Sequence, residues 1–90
     1  MRELAVAQKQ TRDEEGNERT YEYTILIGEM EVSPQFACES YGVRIRGQDG
    51  ETEEVPNITV SISRIDELME LLVRGAVAPC ALRDVVDDWL

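Results

Sequence analysis

The stretch Ser63 to Leu90, SRIDELMELLVRGAVAPCALRDVVDDWL, decides the fold class, because it spells two short amphipathic helices in succession, each with its own start signal. Ser63 precedes an apolar set at Ile65, Leu68, Met69, Leu72 and Val73, whose i, i+3, i+4, i+7, i+8 spacing lines one helical face. Asp66 stands three residues after Ser63, the spacing at which the two residues cap a helix start reciprocally. Arg74 suits the negative end of the helix dipole, and Gly75 is expected to stop the helix in the left-handed conformation of a C-terminal cap. The second helix is expected to begin at Pro79, whose missing N–H costs nothing in a first turn. Its apolar set is Leu82, Val85, Val86, Trp89 and Leu90. So short a connection predicts that the helices fold back on one another and share a core.

Upstream, the period changes from that of a helix to that of a strand. Tyr21, Tyr23, Ile25 and Ile27 alternate with Glu22 and Thr24, with Leu26 as the exception. Tyr41, Val43 and Ile45 repeat the alternation with Arg44 and Arg46 facing the other way, and Ile58, Val60 and Ile62 repeat it with Thr59 and Ser61 outside. A fourth strand, from about Glu3 to Thr11, has a shallower pattern because most of its apolar residues are alanine. Asp49-Gly50 favours a tight hairpin, Ser33-Pro34 marks a turn, and the polar run from Arg12 to Glu18 reads as an exposed loop. Pro56 cannot donate to a ladder, which places the last strand at an edge or starts its regular pairing afterwards. The expectation is an α+β fold: an antiparallel β-meander of three to four strands followed by two C-terminal helices packed on one sheet face, the other face left to solvent or a partner. The 90 residues are expected to form a single domain.

Nineteen acidic against nine basic residues give a formal charge of −10, which repels phosphate backbones and anionic lipid heads and disfavours nucleic acid and membrane as partners. The first residues form no secretory signal, and no window is long and apolar enough to span a bilayer, so a cytoplasmic location is expected. In that reducing compartment Cys38 and Cys80, too far apart for a Cys-x-x-Cys motif, are expected to be buried thiols.

Three stretches carry a resemblance: Tyr41-Gly42-Val43-Arg44-Ile45 in a central strand, Ile58-Thr59-Val60-Ser61, and the ending Val77 to Leu90 with Leu82-Arg83-Asp84-Val85-Val86-Asp87-Asp88-Trp89-Leu90. From Tyr21 to Leu90 the chain resembles a family of small bacterial proteins classed as a domain of unknown function, which pair a Tyr-Gly-Ile strand with a terminal Leu-x-Asp-Val-Val-x-Asp-Phe-Leu helix. Val43 and Trp89 depart from the usual residues only in bulk. The resemblance implies the fold and no assigned activity.

The chain contains no histidine, which removes Ser-His-Asp and Cys-His pairs and imidazole metal ligation. Cys80, in the first turn of the second helix, lies where the dipole favours a thiolate, yet no base or resolving thiol accompanies it in sequence. Asp84, Asp87 and Asp88 share the polar side of the last helix; a hard divalent cation could draw on them, while the plainer reading is a solvated face without the Asp-x-Asp-x-Asp-Gly loop of a calcium site. Asp87 and Asp88 also oppose the helix dipole, so docking of Trp89 or a basic partner must offset them. Glu51, Glu53 and Glu54, and the acids of the first loop, read as solvated charge rather than paired catalytic carboxylates. Arg44 and Arg46 are either paired across strands, with Glu22 or nearby acids, or form a small basic patch for an anion or acidic peptide. Tyr21, Tyr23, Phe36, Tyr41 and Trp89 are expected to pack the core.

The functional expectation is a non-enzymatic protein-binding or regulatory module, without cofactor or catalytic residue, whose partner surface draws on Arg44, Arg46, Asp84, Asp87 and Asp88. The alternative is a domain that binds a small molecule or a divalent metal, with catalysis as an extension of it. The partner is expected to be another protein, and the chain to be a monomer or a homodimer paired through a free strand edge.

Overall fold

The computed structural model describes residues 2–12, 14–33 and 36–90. Four strands, β1 (Arg2–Arg12), β2 (Glu18–Ser33), β3 (Phe36–Gly47) and β4 (Thr52–Thr59), form one antiparallel sheet in the order β1-β2-β3-β4. Helix α1 (Ile62–Arg74), a 3-10 turn (Pro79–Ala81) and helix α2 (Leu82–Trp89) complete the chain. The meander and the helical pair are those expected, with β1 present as a full strand from Arg2 opposite Ile27 to Arg12 opposite Glu18.

Alternation in the two central strands builds the core. Tyr23 stands opposite Ile45 and Ile25 opposite Val43, and all four turn towards the helices, where they meet Ile65, Leu68, Met69 and Leu72 of α1 and Leu82 and Val86 of α2. Both helices therefore cover one face. Burying such a set removes several hundred Å² of apolar surface from water at about 25 cal/mol per Å², the dominant stabilising term in so small a domain. Tyr21, Tyr41 and Trp89 are partly buried against this cluster, and the side chain of Phe36 lies outside the described residues, as does Pro34 of the expected Ser33-Pro34 turn.

The β3–β4 hairpin closes as the Asp-Gly pair predicts. Gly50 takes a φ of 92°, the Gly47 N–H donates to the Glu51 carbonyl, and the Glu51 N–H donates to Asp49 Oδ1 at 3.1 Å.

Five local expectations are corrected. The last strand is Thr52–Thr59, not a run over Ile58, Val60 and Ile62; Val60 and Ile62 are 55% and 61% exposed. A bulge explains the shift, because Val43 faces Val55 while Tyr41 faces Thr59, so residues 56–58 of β4 crowd against Gly42 alone. A Cβ on Gly42 would stand 2.4 Å from the Val55 carbonyl oxygen and 2.6 Å from Pro56 Cα. Asn57 turns the bulge at a φ of 56°. With the strand ending earlier, Ser61 rather than Ser63 caps α1, accepting from the Arg64 N–H at 3.3 Å.

At the other end of α1, the left-handed residue is Ala76 (φ 47°) and not Gly75 (φ −83°). The Val77 N–H donates to the Leu72 carbonyl and the Ala76 N–H to Val73, the paired bonds of a Schellman cap whose left-handed position is Ala76. The terminal Leu90, assigned by periodicity to the apolar stripe, is 73% exposed one residue beyond the end of α2. Finally, Cys80 is exposed and Cys38 intermediate, because in the 3-10 turn it is Pro79 that enters the core. Pro56 does mark an edge strand, as expected, since β4 closes one side of the sheet.

Candidate functional site

Among the described residues, candidate chemistry lies on the sheet face away from the helices, on the outer side of α2, and on the side of the molecule where α1 meets β1.

The open sheet face carries Arg44 and Arg46. Arg44 is engaged on both sides, by Glu3 of β1 and by Glu54 of β4, the latter at 3.0 Å from Nε to Oε2. Strands stand about 4.8 Å apart, so the Arg44 side chain has to cross β2 to reach Glu3, and its stem runs over the face on which Thr24 and Leu26 lie. Only 19% of the Arg44 side chain is exposed. Its pKa is raised, first by the hydrogen bond to Glu3 and then by that to Glu54. Leu26, which broke the alternation in sequence, is 1% exposed on this face and separate from the main core. Arg44 is thus a cross-strand clamp, paired with Glu3 and Glu54 in place of Glu22. Arg46 is exposed, opposite Glu22 and Thr52, and makes no ion pair among the described residues.

Asp84, Asp87 and Asp88 are exposed on α2. Strand alternation puts Arg44 and Arg46 on the opposite side of the sheet from the helices, so the two halves of the expected partner surface are not brought together. Among the described residues no three acidic or cysteine side chains are grouped to hold a metal ion. The C-terminal end of α2 is held by a contact that offsets its unfavourable charge, the Arg64 guanidinium 4.2 Å from the centroid of the Trp89 ring, while at the start of the helix Arg83 pairs with Glu53 of β4 at 3.2 Å. Glu53 and Glu54 are thereby structural partners.

The third surface is a groove between β1 and α1 of about 550 Å³. Leu4, Ala5, Val6 and Ala7 form one wall, Ile25 the floor, and Met69 and Val73 the other wall, with Asp66, Glu70 and Arg74 at its rim. Leu4 is 54% and Val6 44% exposed, so the edge strand presents apolar side chains to water. Glu70 and Arg74 are joined at 2.6 Å, whereas Asp66 makes no ion pair among the described residues. A bulge between Ala5 and Ala7 shifts the register of β1 and, with its small alanines, blurs its alternation. Sequence reasoning passed over this groove. The signal that could have found it is the unbroken Leu4-Ala5-Val6-Ala7 run, which has no charge on a strand destined for an edge.

The two sheet edges differ in kind. The β4 edge carries Glu53, Glu54, Pro56 and a bulge, and Arg83 of α2 ties down over it, the usual protections against strand addition. The β1 edge has its bulge and flanking charges, but its middle is apolar and open.

Cys80 lines a further hollow together with Thr11, Arg19, Tyr21 and Ala78. No helix is long and apolar enough to cross a membrane among the described residues.

The model of a family of unknown function (DUF6514) matches residues 2–90, extending the resemblance seen from Tyr21 onward to include β1. No curated protein and no solved structure matches the chain.

Proposed function

The chain belongs to this family of unknown function, and we propose that it is a non-enzymatic protein-binding module whose partner docks at the groove between β1 and α1. The observation that carries the reading is the exposure of Leu4 and Val6 on an open edge, beside the apolar wall of Met69 and Val73. Burying that surface on a partner would recover about 25 cal/mol per Å², whereas the open sheet face offers mainly polar groups already spent on one another. Asp84, Asp87 and Asp88, on α2 and outside the groove lining, add negative charge that speeds encounter with a basic partner without supplying the contact itself. A cytoplasmic location is part of the same proposal.

A second reading uses the same groove for an apolar small molecule, since its volume falls in the range of about 300–1,000 Å³ typical of ligand sites. A photo-crosslinking amino acid placed at Val6, and in a separate sample at Thr24 on the opposite sheet face, separates the two in the native host. A discrete protein adduct at position 6 that disappears with Leu4→Glu supports docking at the groove. Adducts at Thr24 alone move the interface to the open face, and a metabolite carried by purified protein in native mass spectrometry, with no protein adduct, establishes the small-molecule reading instead.

A further inference from the structure

We infer that the groove between β1 and α1 takes a short apolar segment of a different protein that carries a lysine or arginine beside its apolar anchor, with the cation seated on Asp66. The inference rests on the protein-binding reading and adds the chemistry of the occupant. Glu70 and Arg74 neutralise each other at 2.6 Å, which leaves Asp66 as the uncompensated charge on the rim. Asp66 is exposed in the free chain, and an apolar segment docked against Met69 and Val73 would exclude water beside it, so a Lys or Arg on that segment gains more there than at a free aspartate. The formal charge of −10 adds a long-range attraction for a basic segment. The same charge argues against a second copy of this chain as occupant, because each copy would bring its own −10 to the contact. An acidic apolar segment is refused by Asp66 and by the whole field, and a neutral one leaves Asp66 partly dehydrated without a counter-charge.

The test uses the full chain labelled with nitrogen-15 and three pools of synthetic eight-residue peptides, matched in Leu, Val and Ile content and differing only in carrying Lys and Arg, Asp and Glu, or Ser and Asn. The cationic pool should shift the amide resonances of Val6, Ala7, Met69 and Val73 and bind about tenfold tighter than the acidic pool. Asp66→Lys should bring that preference to unity or reverse it, and Asp66→Asn should weaken the cationic pool about three- to fivefold; unchanged resonances elsewhere establish that both variants fold. Equal binding of all three pools, a preference that survives Asp66→Lys, or a groove filled by a second copy and seen as a concentration-dependent dimer in light scattering would each overturn the inference. Its failure stays distinct from failure of the protein-binding reading: a groove indifferent to the cationic pool, in a chain that still crosslinks a protein through position 6, refutes the cation and leaves the docking site.

Discussion

The Tyr23 hydroxyl, rising from the middle of β2, donates to the Val77 backbone carbonyl at 2.9 Å, so the buried centre of the sheet is tied to the loop that joins the two helices. Burial, with Tyr21 adding to it, pushes the Tyr23 pKa up to about 12. A phenol whose folded pKa lies above its unfolded value contributes stability that is complete below pH 10 and is lost as pH rises through 12. Unfolding free energy measured by urea titration should therefore fall between those values, by about 1–2 kcal/mol after allowance for water near the loop. Tyr23→Phe should cost about 1–2 kcal/mol at neutral pH, because Val77 loses its donor, and should flatten the Tyr23 share of the alkaline decline. An unchanged pH profile in Tyr23→Phe would show that another group governs it.

Gly42→Ala should be among the most damaging single changes outside the core. The added Cβ meets the backbone of Val55 and Pro56, which cannot move aside like a flexible side chain. We expect a loss of about 3 kcal/mol or more and a displaced β4, read by thermal unfolding and by the amide resonances of residues 52–59.

Ala76→Gly should stabilise. An alanine at a φ of 47° holds a left-handed conformation that glycine adopts freely, and removing that strain should gain about 0.5–1 kcal/mol after the entropy cost of glycine. Gly75→Ala, at a right-handed φ with only ordinary contacts around a Cβ, should change stability by less than about 0.5 kcal/mol. A melting temperature that falls in Ala76→Gly would contradict the cap geometry.

Arg44→Met keeps much of the stem that runs over the open face but releases Glu3 and Glu54. The cost should be about 1–2 kcal/mol, larger than the few tenths expected for Arg2→Met, whose pair with Glu39 is well exposed. Chemical denaturation at low and high salt separates the two, since the exposed pair is screened and the clamp much less so.

The parts of this structure legible in the sequence are those fixed by a repeating pattern. Ile65, Leu68, Met69 and Leu72 announce α1, and Tyr23, Ile25, Val43 and Ile45 announce the sheet, because one-sided burial imposes a period that survives any local detail. What stayed hidden depends on single backbone positions. Ile58, Val60 and Ile62 alternate as a strand does, yet the crowding of residues 56–58 against Gly42 ends the ladder first and hands the cap to Ser61. Glycine is the usual left-handed residue, so the sequence points to Gly75 as the helix stop, whereas the alanine beside it takes that role. Arg44 and Arg46 were rightly placed on the face away from the core, but only three-dimensional reach reveals that Glu3 and Glu54 claim the first. The groove escaped notice because it is shared by residues far apart in sequence, Leu4 to Ala7 on one side and Met69 to Val73 on the other.

The strand order has a kinetic meaning as well. Each strand pairs with its neighbour in the chain, so the sheet can zip hairpin by hairpin, closing short loops and never waiting for a distant crossover. The slower search falls to α1 and α2, which must find the finished face and lock onto it. A chain emerging from synthesis would complete its meander before its last helix exists, and until that helix arrives the face bearing Tyr23, Ile25, Val43 and Ile45 is bare to aggregation.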